Sequence, residues 1–455
     1  MLNRLLTAAA LPVTIGDHVF KVSASLGVTF YPQADDVDAD YLLRQADQAM
    51  YQAKLSGKNR YHIFDTEQDR NTRGRHESLE HIRTALAARE FVLYYQPKVN
   101  MRTGLVIGAE ALIRWQHPER GLLPPGIFLP VIEDHPLAIK IGEWVIDAAL
   151  TQMERWRAVG LDLPVSVNVG ALQLLHVDFV DRLREILADH PTLSPENLEI
   201  EIIETSALED LDRVSQIIQD CQAIGVNFAL DDFGTGYSSL TYLKRLSVNQ
   251  LKIDQSFVHD MLDDPDDLSI LGGVLGLATA FRRQVIAEGV ETIAHGSMLL
   301  QLGCELAQGY GIGRPMPADD LPAWALSWRP DSRWSNLPSV NRDKLPLLFA
   351  TVEHRAWIQA VEDFIKGERE ILPLMHHQCH FGTWLEGESM VNDAQNEFKK
   401  TVALHHELHH LAVDLCAQKA HGLGSEAHNR LCELQKLHHD FSESLEALMS
   451  FQGSV

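Results

Sequence analysis

The chain has 455 residues, a length that suits about three domains rather than one. Hydrophobic residues make up 45% and charged residues 22%, the composition of a chain that folds around buried cores. A formal net charge of −24 excludes a general binder of duplex nucleic acid, whose phosphates demand clustered Lys and Arg.

No apolar run reaches the roughly 18 residues a spanning helix needs. Met1–Val13 is only mildly apolar and is broken by Thr7 and Pro12, so it makes a poor signal peptide. A cytoplasmic protein is expected. Five cysteines without paired spacing argue against a disulfide framework. Of 22 histidines, twelve lie after residue 340 together with three cysteines, which points to metal in that segment.

Residues 1–66 begin with an alternating run, Val19–Phe30, that reads as two strands with a turn. A helix over about 40–54 and a strand near Tyr61–Phe64 follow, too little to hide a core alone. Residues 67–90 read as a connecting helix with a stripe of Leu79, Ile82 and Leu86.

Residues 91–326 alternate short apolar runs with helical stretches. The runs are Phe91–Pro97, Val106–Trp115, Pro164–Val169, Leu198–Ile203, Asn227–Asp231, Gln250–Asp254, Gln284–Glu288 and Leu306–Ile312. Eight such runs predict an α/β fold, a (β/α)8 TIM-like barrel. Residues 327–345 are turn-rich and suit a linker. Residues 346–455 carry amphipathic stretches at about 346–366, 370–384, 391–418 and 424–450, an all-α four-helix bundle.

Barrels of this kind place catalytic groups at the C-terminal ends of their strands. Those ends hold Glu110 and Arg114, Asn168, Glu201 and Glu204, Asp231 and Asp232, Lys252 and Asp254, Glu288 with Glu291 beyond it, and Gln308. One strand-end acid means little, but converging carboxylates cannot stay buried without pKa shifts or a cation. Oxygen-rich sites select Mg²⁺ or Mn²⁺, and a shared pair of ions suits attack of water on a phosphodiester. Lys252 could orient that water and Arg114 could hold a phosphate oxygen.

At these residues the segment 91–326 resembles the EAL-domain cyclic-di-GMP phosphodiesterases. The matching stretches are Glu110-Ala-Leu-Ile-Arg-Trp115, Val165-Ser-Val-Asn168, Glu201-Ile-Ile-Glu204, Asp231-Asp-Phe-Gly-Thr-Gly236, Leu251-Lys-Ile-Asp254, Ala287-Glu-Gly-Val-Glu291 and Ala307-Gln-Gly-Tyr310. The resemblance implies a first metal on Glu110, Asn168, Glu201 and Asp231, and a second on Asp231, Asp232 and Glu288. It implies that Lys252 assists the attacking water with Asp254 beside it, and that Gln308 lines the pocket near the scissile phosphate. Glu204 and Glu291 would stabilise the loop after the fifth strand, where Gly234 and Gly236 permit the turn. Ile203 stands where the family more often has Thr, and Gly170 where Ser is common; neither change removes a ligand. A homodimer is likewise implied by the family rather than by composition.

Asp232-Phe-Gly234 matches a kinase metal triplet without the rest of a kinase, and Gly272-Gly-Val-Leu-Gly276 has no preceding strand, so close helix packing explains it better than phosphate binding. Residues 1–66 resemble the closing third of a GGDEF diguanylate cyclase domain through Ala24-Ser-Leu-Gly-Val28, Ala46-Asp-Gln-Ala-Met-Tyr51 and Gly57-Lys-Asn-Arg-Tyr-His62. The Gly-Gly-acid-Glu-Phe turn that names the family is missing from the chain, so cyclase activity is not expected. Either the fragment is a piece of a longer domain, or it packs on the barrel or on a second copy of itself.

In the tail, His405 and His409 share a helical face, as do His406 and His410. His354-Arg-Ala-Trp357 and Cys379-His-Phe-Gly-Thr-Trp384, followed by His-x₃-His, resemble the chemoreceptor zinc-binding (CZB) family. That implies a His₃Cys zinc site on His354, Cys379, His405 and His409, with the His405/His409 pair favoured because His409 precedes Leu411-Ala412. The remaining tail histidines, from His376 to His439, are expected to face solvent. A di-iron bundle would want Glu-x-x-His pairs, which Glu407 and Glu353 do not form.

The expectation is a hydrolase that opens cyclic di-GMP to pGpG with two Mg²⁺ or Mn²⁺ ions, tuned by one zinc in the bundle through the 327–345 linker. A receptor that binds the nucleotide without cleaving it is the alternative, and zinc sensing with a passive barrel a third.

Overall fold

A computed structural model describes residues 2–15, 18–20, 22–33, 39–56, 58–64, 66–204, 210–234, 240–335, 337–368, 379, 381–382, 384 and 395–450. They form two compact units, Met1–Thr84 and Ala85–Val455. Among the described residues no helix is long and apolar enough to cross a membrane.

In the first unit, β1 (Val13–Ile15) and β2 (His18–Phe20) pair antiparallel, while β3 (Leu26–Val28) and β4 (Tyr61–Ile63) pair in parallel. The run 19–30 is therefore not a hairpin, as its alternation suggested. Its two strands belong to different sheets, because β3 takes its partner from beyond the helix Ala39–Leu55. A parallel pair needs such a crossover.

The second unit begins with the barrel. Its strands are β5 (Phe91–Asn100), β6 (Val106–His117), β7 (Gly121–Leu123), β8 (Val165–Asn168), β9 (Leu198–Ile203), β10 (Asn227–Phe233), β11 (Gln250–Ile253), β12 (Gln284–Ala287), β13 (Leu306–Ala307) and β14 (Met316–Pro317). Hydrogen bonding closes β5, β6, β8, β9, β10, β11, β12 and β13 into an eight-stranded TIM-like ring, with β7 and β14 appended.

The ring departs from the all-parallel pattern at one strand, since β5 runs antiparallel to both β6 and β13. The cause is local. Asn100 Oδ1 accepts from the backbone N–H groups of Arg102 and Thr103 at 2.9 Å, and Gly104 takes a left-handed φ of +75°. Such a turn returns the chain at once, which permits only antiparallel pairing. Beyond it, successive strands of the ring are joined through helices, two of them with ordinary start signals: Asp264 caps Pro265–Phe281 and Thr292 caps Ile293–Leu302.

Parallel partners face the same side of a sheet, so the register places Glu110, Ser166 and Glu199 on one face, and Asn168, Glu201, Ala229 and Gln250 with them. That face is the barrel interior. Apolar Leu198, Ile200 and Ile202, also buried, alternate with Glu199 and Glu201 and so face the helices. Filling the barrel axis with charge rather than Val, Ile and Leu marks the interior as a functional site.

The stretch 327–345 is tied down. Trp334 is buried and donates from Nε1 to the Ile293 carbonyl at 3.0 Å, and Val340 N donates to Gln301 O at 2.8 Å. After it come helices Leu345–Lys366, Gln395–Ala420, Gly424–Asn429 and Leu431–Ser450, with Cys379 and Phe381 from the stretch between the first two. Their shared core includes Ile358, Val361, Leu408, Leu415, Leu434 and Phe441. Most of the expected 370–384 helix lies outside the described residues.

Candidate functional site

Lys252 is the centre of the barrel mouth. Its Nζ lies 2.6 Å from Glu288 Oε1, 2.7 Å from Glu201 Oε2, 3.0 Å from Asp231 Oδ1 and 3.7 Å from Glu110 Oε2. Asn168 Nδ2 donates to Glu110 Oε1 at 2.7 Å, and Gln308 Nε2 donates to Glu110 Oε2 at 2.6 Å. Two overlapping sets could hold cations: Glu110, Glu201 and Asp231, and Asp231, Asp232 and Glu288, each with ligand atoms within 4.8 Å.

Neighbouring residues of a regular strand point to opposite faces, so Asp231 and Asp232 should not both reach one site. Here the pairing of β10 with β11 slips between Leu230 and Phe233, and Asp232 adopts a φ of +55°. This kink turns both carboxylates inward, a familiar use of strand irregularity beside active sites.

Charge balance defines the site's chemistry. Burial alone would raise the Glu201 pKa, but Lys252 and Lys98 outweigh it and hold the carboxyl well below its ordinary range. Burial would likewise strip the Lys252 proton, were it not for Glu110, Glu201, Glu288 and Asp231 around it. The other acids lack enough cation. Burial, then Glu201, raises Glu110. Burial, only partly offset by Lys252, pushes Glu288 up to about 8, and burial with Asp231 and Asp254 pushes Asp232 up to about 6. With Glu199 counted beside Lys98, six carboxylates face two ammonium groups, which leaves four negative charges uncompensated when all are ionised. An oxygen-only set with that deficit fits hard divalent cations.

The remaining expected residues fall nearby. Gln308 Oε1 is buried and has no hydrogen-bond donor among the described residues. Arg114 lies over the Tyr94 ring at 5.7 Å and donates to Ile113 O. Asp254 caps the helix Gln255–Asp260 through Ser256 N. Glu204 Oε2 accepts from Gly234 N at 3.1 Å, at a glycine whose φ is +107°. Glu291 is exposed, and Gly236 lies outside the described residues.

Sequence reasoning passed over Gln96, Lys98 and Glu199. Gln96 accepts from Gln308 at 3.0 Å, and Lys98 bridges Glu199 and Glu201. The available signal was period two: Glu199 precedes Glu201 by two residues, and Gln96 precedes Lys98 by two.

The second cluster joins His354, Cys379, His405 and His409, all buried, with one ligand atom of each within 4.8 Å of the others. His354 Nδ1 donates to Ala350 O at 2.8 Å, so the Nε2 lone pair faces His409 Nε2 at 3.3 Å. Burial pulls the His354 pKa down to about 4, leaving a neutral imidazole at neutral pH. Burial raises the Cys379 thiol, and the Gly382 N–H, 3.2 Å from its sulfur, works against that rise. Cys379 Sγ lies 3.3 Å from His405 Nε2. Three imidazoles and a thiol fit a tetrahedral zinc site. His406 and His410 are exposed. His438 differs from its expected exposure: it is half-buried, and burial lowers its pKa. His376, His377 and His380 lie outside the described residues.

Three families match the chain: the EAL domain at residues 79–315, the chemoreceptor zinc-binding domain at 354–416, and the diguanylate cyclase GGDEF domain at 1–60. Among curated relatives, the bifunctional diguanylate cyclase/cyclic di-GMP phosphodiesterase MucR of Pseudomonas aeruginosa is 42% identical over 322 residues, 70% of this chain and 47% of MucR. The cyclic di-GMP phosphodiesterase PdeR of Escherichia coli is 36% identical over 325 residues, 71% of this chain and 49% of PdeR. The chain thus spans about half the length of these relatives. Among solved structures, the PaMucR phosphodiesterase in complex with c-di-GMP is similar with a TM-score of 0.52 at 45% identity, covering 54% of this chain and 99% of that one. The EAL enzyme Bd1971, bound to cAMP and cyclic di-GMP, gives a TM-score of 0.54 at 29% identity, covering 64% of this chain and 77% of Bd1971.

Proposed function

The chain belongs to the EAL-domain family, and from that footing we propose that its barrel hydrolyses cyclic di-GMP to linear pGpG, using two Mg²⁺ or Mn²⁺ ions. The observation that carries the reading is the ring of Glu110, Glu201, Asp231, Asp232 and Glu288 around Lys252. Similarity to MucR and PdeR, whose names state phosphodiesterase activity, supports the same substrate.

Glu110, Asn168, Glu201 and Asp231 would hold one ion, and Asp231, Asp232 and Glu288 the other. Bound there, the ions supply Lewis-acid polarisation of the phosphodiester and acidify a water. Lys252, held in place by its carboxylates, orients the attacking water. Water oxygen bonds to phosphorus, the phosphorus bond to one 3′ oxygen breaks, and that oxygen leaves as a hydroxyl after taking a proton. Asp232, beside Asp231 and hydrogen-bonded to Asp254, is the carboxylate placed to take the water's proton. Arg114 and Gln308 Oε1 line the approach of the anionic substrate, with Asp254 hydrogen-bonded to Asp232. Glu204 anchors the start of the loop after β10 at Gly234, and Glu291 serves the same loop.

His354, Cys379, His405 and His409 would bind one zinc, and the bundle would report zinc or thiol state to the barrel. Support comes from docking: the His354 helix packs on Pro265–Phe281, and Arg355 Nη1 donates to Leu262 O at 3.2 Å. The chain works as a homodimer, and its GGDEF fragment makes no cyclic di-GMP.

Purified full chain with Mn²⁺ should release pGpG from cyclic di-GMP, and Glu110→Ala should not. Binding of the nucleotide without release by the unaltered chain would replace the enzyme with a receptor.

A further inference from the structure

β5 is the antiparallel strand of the ring, so its inward residues sink deeper into the barrel as their numbers rise. Gln96 pairs with Glu110 at the level of the carboxylate ring, and Lys98 pairs with Gly108 one step below. Two residues along a strand is about 6.6 Å, so Lys98 sits a full layer beneath the mouth. It is buried there, with 4% of its surface exposed. Its Nζ lies 2.7 Å from Glu201 Oε1 and 2.9 Å from Glu199 Oε1.

Glu201 is completely buried and has two ammonium partners, one per oxygen: Lys98 on Oε1 from below and Lys252 on Oε2 from the ring. The two oxygens are thereby distinguished. Glu199, on the same face of β9, gives Lys98 a counter-charge of its own, so the ammonium is anchored from two sides.

We propose that Lys98 is a positioning residue for cation binding, which clamps Glu201 Oε1 from beneath and presents Oε2 alone to the carboxylate ring. The inference rests on the two-ion reading above. It makes Glu201 a one-oxygen ligand of fixed orientation and makes the Lys98–Glu199 pair part of the site, although neither side chain is in the ring. Groups that orient a ligand from behind commonly carry about 10–100-fold in metal affinity.

The test is direct titration of chelator-stripped full chain with Mn²⁺, counting free ion by electron paramagnetic resonance, with the fold checked by circular dichroism. Lys98→Met should weaken Mn²⁺ binding by about 10–100-fold. Lys98→Arg, which keeps the charge but not the geometry, should recover part of this and stay at least about threefold weaker than the unaltered chain. Folded Lys98→Met with unaltered Mn²⁺ affinity overturns the role of Lys98 and leaves the two-ion reading standing. An unaltered chain that binds no Mn²⁺ overturns both. If Lys98→Met does not fold, Lys98→Arg decides: weakened binding supports the clamp and unchanged affinity removes it.

Discussion

Phe349 of the bundle seats its ring on Gly272 of the barrel: a Cβ added to that glycine would lie 2.8 Å from Phe349 Cζ. The glycine run 272–276 is thereby resolved into unlike members. Gly272 makes room for a neighbouring helix, whereas a Cβ on Gly273 or Gly276 would meet nothing within 4 Å among the described residues.

That difference is measurable by thermal unfolding. Gly272→Leu should overpack the contact and cost about 1–3 kcal/mol. Gly273→Ala and Gly276→Ala, in the same helix, should each stabilise by roughly 0.5–1 kcal/mol. Equal effects at all three positions would show that the docking contact carries no weight. If the bundle signals through this contact, Gly272→Leu should also blunt the response of pGpG release to a zinc chelator.

Metal-free protein should lose stability as the pH rises from about 5 to 8. Burial lifts Glu288 from an ordinary 4.5 to about 8 and Asp232 from 3.8 to about 6. The folded state then binds more protons than the unfolded one across that window. Stability from these groups is complete below their unfolded values and is lost through their folded values. Mn²⁺ should reverse the trend, because the ion displaces those protons and binds more tightly as the pH rises. Melting curves at pH 5.5, 7 and 8.5, with chelator and with Mn²⁺, make the comparison.

Lys252→Met separates stability from turnover. In chelator, removal of the ammonium leaves Glu201, Glu288 and Asp231 without their shared partner, at a cost of about 3–5 kcal/mol. Saturating Mn²⁺ should restore much of the melting temperature. Release of pGpG should stay at least about 100-fold low, because the group that orients the water is gone. Recovery of both together would make Lys252 a structural cation only.

Zinc content should follow the inward histidines. Cys379→Ala or His405→Ala should drop zinc well below one per chain, while His406→Ala should leave it unchanged, since His405 is buried and His406 exposed. Elemental analysis of the purified variants gives the answer.

The acids, histidines and cysteine that converge were legible in the sequence because their spacing is local. Acids and a lysine at the ends of short apolar runs can be read without knowing the path between them. The choice between His405 and His406 was also within reach. Thr401, His405, Leu408, Ala412 and Leu415 form one buried stripe at helical spacing, and His406 and His410 fall outside it. The strands of the N-terminal fragment were harder, since the alternation in 19–30 is the same whether two strands pair with each other or with others.

By itself, then, the sequence determined the division into fragment, barrel and bundle, the eight strands, and the set of acids and histidines that converge. Tertiary structure alone decided how those groups share charge. Lys98 reaches Glu201 across 103 positions of chain, and β5 enters the barrel antiparallel. Asp232 turns inward through a strand irregularity that no alternation pattern foretells. Periodicity reports which face a residue occupies, whereas a pKa or an ion site depends on distances between faces that only closure of the barrel brings within a few ångströms.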